Sequence, residues 1–144
     1  MSEQEVRLRP HSGERFAGEC HVVDLGRALS QLRAESRPAP RGHRHVTVFH
    51  RDLVTQALFA FEPGGALTDH VANGLVTIHA LDGCLTVQAA GETYQLQAGM
   101  MVILTPGVRH SVHAEEPGAM LLTVCLENHR EKRMSNHEAP YCLP

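Results

Sequence analysis

Imidazole is the side chain this sequence holds in surplus, with 11 histidines in 144 residues beside four cysteines and no tryptophan. At neutral pH a histidine suits two kinds of chemistry. Its unperturbed pKa of about 6.5 lets it carry a proton, and its neutral ring nitrogens bind metals such as Zn, Ni, Cu, Fe or Mn. Two positions stand out, His70 and His110, which lie near the ends of the stretch 63–112. His50 is a third candidate for the same site, because it follows Val46 and Val48 at the spacing of one strand face. His79 is excluded from that site by parity: it alternates with Val76, Ile78 and Ala80 and belongs to the opposite face. The same reasoning sets His113 opposite His110. His43 and His45 fall in a linker, where surface metal contact is the expected role, and His129 and His137 fall in a polar tail.

Other reactive chemistry is sparse. Cys20, Cys84, Cys125 and Cys142 form no CxxC pair, and Cys84 and Cys125 fall in predicted strands, where a buried, unreactive thiol is the expectation. No Ser-His-Asp pattern, phosphate loop or dinucleotide fingerprint is present.

The elements that must position the histidines are short strands. Asp24 is a good N-cap, and Leu25, Leu29 and Leu32 recur at helical spacing, which predicts an amphipathic helix from about 25 to 35. SRPAPRGHRH ends it as a linker. From His45 the period becomes two. Strands follow over about 45–50 and 53–61, up to His70, then LVTIHAL, CLTVQA, ETYQLQ, MMVIL, HSVHA and AMLLTVCL. Glu62-Pro63-Gly64-Gly65, Gly91, Gly99 and Thr105-Pro106-Gly107 turn the chain. Asp82-Gly83 is the expected type I′ hairpin turn, since that turn needs positive φ at both central residues. Many short alternating strands between glycine and proline turns predict an all-β antiparallel barrel or sandwich.

One domain is the expectation at this length, divided as a leading segment 1–44 with helix and linker, a barrel 45–126 and a polar tail 127–144 with helix near its start. The net charge of −3 gives no electrostatic case for nucleic acid or an anionic membrane as partner. No apolar run approaches a membrane span, and the polar start MSEQEV does not read as a signal peptide, so the expected compartment is the cytoplasm. MMVIL, apolar on both faces, needs cover on each side, and a homodimer would provide it.

Gly64, five residues and His70 match the opening of the first cupin motif, and Gly83 matches its closing glycine. Gly99, Thr105-Pro106-Gly107 and His110 resemble the second motif, with threonine where the family has its first proline. Over about residues 45–126 the chain thus resembles a small single-domain cupin of the RmlC-like superfamily. The resemblance implies a double-stranded β-helix barrel with a short N-terminal helix. Metal-binding cupins use three histidines and one glutamate, and His70 and His110 occupy the first and last of those positions. The second position is Ala72 and the glutamate position is Val76, neither of which can coordinate a metal. A catalytic metal needs about three protein ligands. The metal site implied here is therefore His70 and His110, completed by His50. The resemblance is compatible with a small-molecule-binding or sensing protein, with or without a divalent transition metal. It is also compatible with a metal-dependent oxygenase or isomerase on a small organic substrate, or with metal-free acid–base catalysis by one histidine. Fold alone does not choose among them.

Overall fold

The computed structural model describes residues 15–128. Segment 1–14, the tail 129–144 with His129, His137 and Cys142, and most of the expected tail helix lie outside the described residues. Helix α1, Leu25–Arg33, forms where the leucine spacing predicts it, and Asp24 accepts a hydrogen bond from the Arg27 amide as its N-cap. A 3₁₀ turn at Pro40–Gly42 leads into β1, His43–Arg51. The strand starts two residues earlier than expected, so the His43–His45 pair lies wholly in the strand and not in the linker.

Eight more strands follow: β2 Val54–Phe61, β3 Ala66–His70, β4 Gly74–Asp82, β5 Cys84–Ala89, β6 Glu92–Gln97, β7 Met101–Leu104, β8 His110–His113 and β9 Gly118–Leu126. Among the described residues they make two antiparallel sheets. One has the order β1-β2-β9-β4-β7 and the other β3-β8-β5-β6. The sheets face each other across one core, which includes Phe59, Phe61, Ile78, Leu85, Val87, Val112 and Met120. This is the all-β sandwich or barrel that the alternation demanded. Among the described residues, no helix is long and apolar enough to cross a membrane.

The turns differ from expectation in one informative way. Asp82-Gly83 does not close a hairpin, because β4 and β5 belong to different sheets. Only Gly83 takes a positive φ there, 69°, and a Cβ on it would meet the Pro117 carbonyl oxygen at 2.5 Å. The glycine serves a crossing between sheets. The two-residue hairpin with positive φ at both central positions joins β5 to β6: Ala89 pairs with Glu92, and Ala90 and Gly91 have φ of 52° and 78°.

On the outer face of the five-stranded sheet, α1 covers β1 and β2. Leu32, Leu58 and Ala60 form a second small core with Ala28, Leu29, Val46, Val48 and Leu81 against it. Val46 and Val48 therefore look outward under the helix, not into the barrel. A bulge between Thr47 and Phe49 then shifts the register, so Phe49 pairs with Gln56 and His50 with Thr55. Phe49 meets Phe16 at a ring separation of 5.7 Å, which anchors the segment before the helix. The linker is fastened too. The Glu62 amide donates to the Gly42 carbonyl at 2.8 Å, and Gly42 and Gly65 pass so closely that a Cβ on Gly42 would meet the Gly65 Cα at 2.7 Å.

Candidate functional site

Strands β3 and β8 bring His70 and His110 together. They pair directly, and their ring centroids are 6.4 Å apart. This pairing depends on a bulge. Leu67 pairs with Val112 in the core, so uninterrupted alternation would place Asp69, not His70, opposite His110. One extra residue between Leu67 and His70 corrects the register, and Asp69 there has a left-handed φ of 55°. Aspartate tolerates that conformation better than most non-glycine residues. The Asp69 carboxylate also accepts a hydrogen bond from Arg109 Nη1 at 2.8 Å. The residues preceding the two histidines thus clasp each other and hold the bulge that sets the histidines face to face. This clasp is missed by reading residue types alone. Its sequence signal is the position of Asp69 and Arg109, each one residue before a candidate histidine.

The two rings are not equivalent. His110 is 6% exposed, and its Nδ1 lies 3.1 Å from the Val108 carbonyl oxygen. A carbonyl only accepts, so in this bond Nδ1 carries the proton and the neutral ring's lone pair is on Nε2. His110 is therefore a fixed acceptor, or a fixed ligand. His70 is exposed at the end of its strand.

The structure does not bring His50 to this pair. Its register row runs through Thr55 and Val124 to Val76, so it shares the inner face of the five-stranded sheet, but on the outermost strand, where it is exposed. Its Nδ1 shares a hydrogen bond with Thr55 Oγ1 at 2.7 Å. The expectation that His50 completes a metal set fails because β1 is an edge strand. Among the described residues no three His, Cys, Asp or Glu side chains gather where they could hold a metal ion. Val76 is buried, and Ala72 packs against the same core, so the two remaining positions offer only aliphatic surface. His79 lies on the outer face with Leu121 and Met101 beside it, as parity requires, and His113 is exposed opposite the core.

The cysteines also depart from expectation. Cys84 is half-buried, with Sγ 3.5 Å from Gln95 Oε1, and Cys125 is exposed because its face of β9 lies beyond the helix. His43 and His45 sit on the inner face with their rings 6.2 Å apart, packed on Phe59, and His43 Nδ1 bonds the Ala66 carbonyl at 3.0 Å.

A cavity of about 810 Å³ opens beside His110. It does not lie in the barrel interior. Thr68, Gln88 and Ser111 line it from the outward side of the four-stranded sheet, Asp69 and Arg109 flank it, and the Ala90–Gly91 turn and Glu92 close one end. The space between the sheets is taken up by the packed core. Polar groups of both signs therefore border the cavity; His110 also lines it, while strand pairing sets that residue on the inner face of the sheet with Ala89 and Val112.

The sequence profile described as "Cupin domain" matches residues 57–126. No curated protein matches the chain. Several solved structures share its architecture. A conserved protein of unknown function from Streptococcus pyogenes superposes with a TM-score of 0.62 at 20% identity, covering 78% of this chain and 92% of the other. A cupin superfamily protein from Desulfitobacterium hafniense gives 0.58 at 16% identity, covering 65% and 94%. Salicylate 1,2-dioxygenase from Pseudoaminobacter salicylatoxidans gives 0.59 at 18% identity, covering 69% of this chain but 31% of the enzyme. At these identities the likeness is one of fold.

Proposed function

This is a small cupin-domain protein, and from that premise we propose that it is a small-molecule-binding or sensing module with His110 as its anchor. The observation that supports this reading is that His110, buried and bonded through Nδ1 to the Val108 carbonyl, is among the residues that line a cavity of about 810 Å³. A concave site with a few convergent polar groups is the usual form of a small-molecule site. The ligand class that fits is a small polar organic molecule, part of which lies against His110. Arg109, Gln88 and Ser111 would meet its other polar atoms.

Metal binding is the second reading, motivated by the direct pairing of His70 with His110. Bonds of about 2 Å from one ion to two imidazoles at tetrahedral angles place the ring centroids about 5 Å apart, so the rings, 6.4 Å apart, would have to close by about an ångström to share an ion. The donor set does not fit a resident catalytic ion, however, because the other two positions are Ala72 and Val76. Zn, Ni, Fe, Mn or Cu held here would rest on two imidazoles and exchange readily. An oxygenase or isomerase would require a third ligand that the described residues do not supply.

Thermal-shift measurements on the full chain separate these readings. The probes are a panel of small hydroxy acids, sugars and amino acids, then each metal alone. A compound that raises the midpoint for the natural protein, with the shift lost in His110→Ala and metal-independent, supports the binding module. Shifts that survive His110→Ala unchanged, or their absence across the panel, count against it. Near-stoichiometric metal retained through desalting and lost in His70→Ala/His110→Ala would move the reading to the enzyme.

A further inference from the structure

The outward face of the four-stranded sheet is built from neutral polar side chains. Strand pairing places Ser111, Gln88 and Thr93 in one row across β8, β5 and β6, and Thr68 lies at the β3 end of that row, inside the bulge. The next row sets Ala66 beside His113, Thr86 and Gln95. No residue of either row is Asp, Glu, Lys or Arg. The rows differ in what their polar groups already do. Thr86 Oγ1 donates to Gln95 Oε1 at 3.0 Å, so the second row is bonded within itself. The side chains of Thr68, Ser111, Gln88 and Thr93 make no hydrogen bond among the described residues, and all four line the cavity of about 810 Å³. A hydroxyl both donates and accepts, and a primary amide does the same through different atoms. The first row therefore offers uncommitted neutral donors and acceptors side by side, spaced by about 4.8 Å from strand to strand.

We propose that this row makes the cavity selective for a neutral polyhydroxyl ligand, a saccharide or cyclic polyol, over organic acids and amines. The inference rests on the ligand-binding reading above and narrows it to a chemical class. Three observations choose the class. First, ring hydroxyls donate and accept like the row itself, so such a ligand can pair with each member whichever way the hydrogens point. The Ala90–Gly91 turn and Val108 supply an apolar wall for the C–H face of its ring. Second, the cavity holds no uncommitted cation for an acid. Arg109 is the basic residue of its lining, and that guanidinium already donates to Asp69 at 2.8 Å. Glu92 adds a second carboxylate, so acidic residues outnumber basic ones and a bound carboxylate or phosphate would meet its own sign. Third, an amine would find Glu92 exposed to water, where ion pairs contribute little, and would leave the neutral row unused.

A nitrogen-15 NMR titration of the full chain tests this. The probes are glucose, galactose and mannose, each with its uronate and its 2-amino form, and myo-inositol. At least one neutral probe is expected to shift the amide signals of Gln88, Thr93 and Ser111 saturably. Its uronate and amino forms are expected to bind about tenfold more weakly or worse. Gln88→Ala and, separately, Ser111→Ala should each weaken the neutral ligand about tenfold, with an unchanged circular dichroism spectrum. Thr86→Ala, in the row outside the cavity, should bind as the natural protein does. A uronate or amino sugar that binds at these residues as tightly as its parent overturns the class and leaves the binding module standing. So does a hydroxy acid or amino acid held in the cavity while every neutral probe is silent. A neutral ligand whose affinity survives both row variants overturns the proposed site. Silence from every class of probe removes the binding module and this inference together.

Discussion

The two halves of the outer face of the five-stranded sheet differ in one respect. Both are built from alternating strands with apolar side chains pointing away from the barrel. Over β1 and β2 those side chains meet α1, and Leu58 and Ala60 are buried with Leu32. Over β7 and the rest of β4 and β9, Ile103 and Met101 remain exposed among the described residues. The sheet therefore closes its side of the barrel with no cover from the described residues on that half. A sheet with one face on a core can leave its other face open, and the sequence of that face then decides what it must meet. On one side the answer is built into the chain, by nine helical residues and their cap.

The contrast can be broken most forcefully under the helix. Leu58→Ala removes a side chain with no exposure from the second core, and should cost about 2–5 kcal/mol in urea unfolding. Detaching the helix at its start is milder: Asp24→Ala loses the N-cap bond to Arg27 and should cost about 1 kcal/mol.

Smaller still is the tether at the helix end. Arg33 donates to Asp82 across 2.7 Å, and that hydrogen bond, opposed by desolvation, holds the Asp82 carboxyl below its ordinary 3.8. A carboxyl pKa lower in the folded state than in the unfolded one adds stability that is complete above the ordinary carboxyl range. It is lost as pH falls through the folded value. Both partners are well exposed, so Arg33→Ala should cost only about 0.2–1 kcal/mol at pH 7. The gap between variant and parent should close in unfolding curves recorded below the Asp82 pKa. On the bare half, Ile103→Ala should change the stability of the chain by less than about 0.5 kcal/mol. A loss as large as that at Leu58 would show that the two halves are not different after all.

What the sequence disclosed about this molecule follows from periodicity. The helix, its Asp24 cap, the strand series and the buried alternation of Leu85 and Val87 or Val76 and Ile78 repeat a side-chain period that burial enforces. Their resemblance to the cupin motifs located His70 and His110 correctly as neighbours. Where the reading failed, the period was interrupted or the question was not local. The β1 bulge changes the parity between Val46 and His50 with no distinctive residue to announce it. Val46 and Val48 look inward by composition, but the face under a helix is as apolar as the face in a barrel. Asp82-Gly83 has the residues of a hairpin, yet whether two strands share a sheet depends on partners far along the chain. Cys125 lies in an apolar strand, and its exposure follows from where α1 ends, a fact no window around residue 125 contains. At the site, residue types named the histidines, but their meeting rests on the Asp69 bulge.

The close passage of Gly42 and Gly65 has a consequence for inheritance as well as for shape. A Cβ on Gly65 would run into the Gly42 carbonyl, and one on Gly42 would run into the Gly65 backbone. Either substitution alone forces the linker away from the turn before β3, and the second then adds little. The pair should show strong epistasis, the double mutant being scarcely worse than either single one. A lineage that had lost one of the two glycines would then be free to drift at the other, while a lineage that kept both could change neither first without harm.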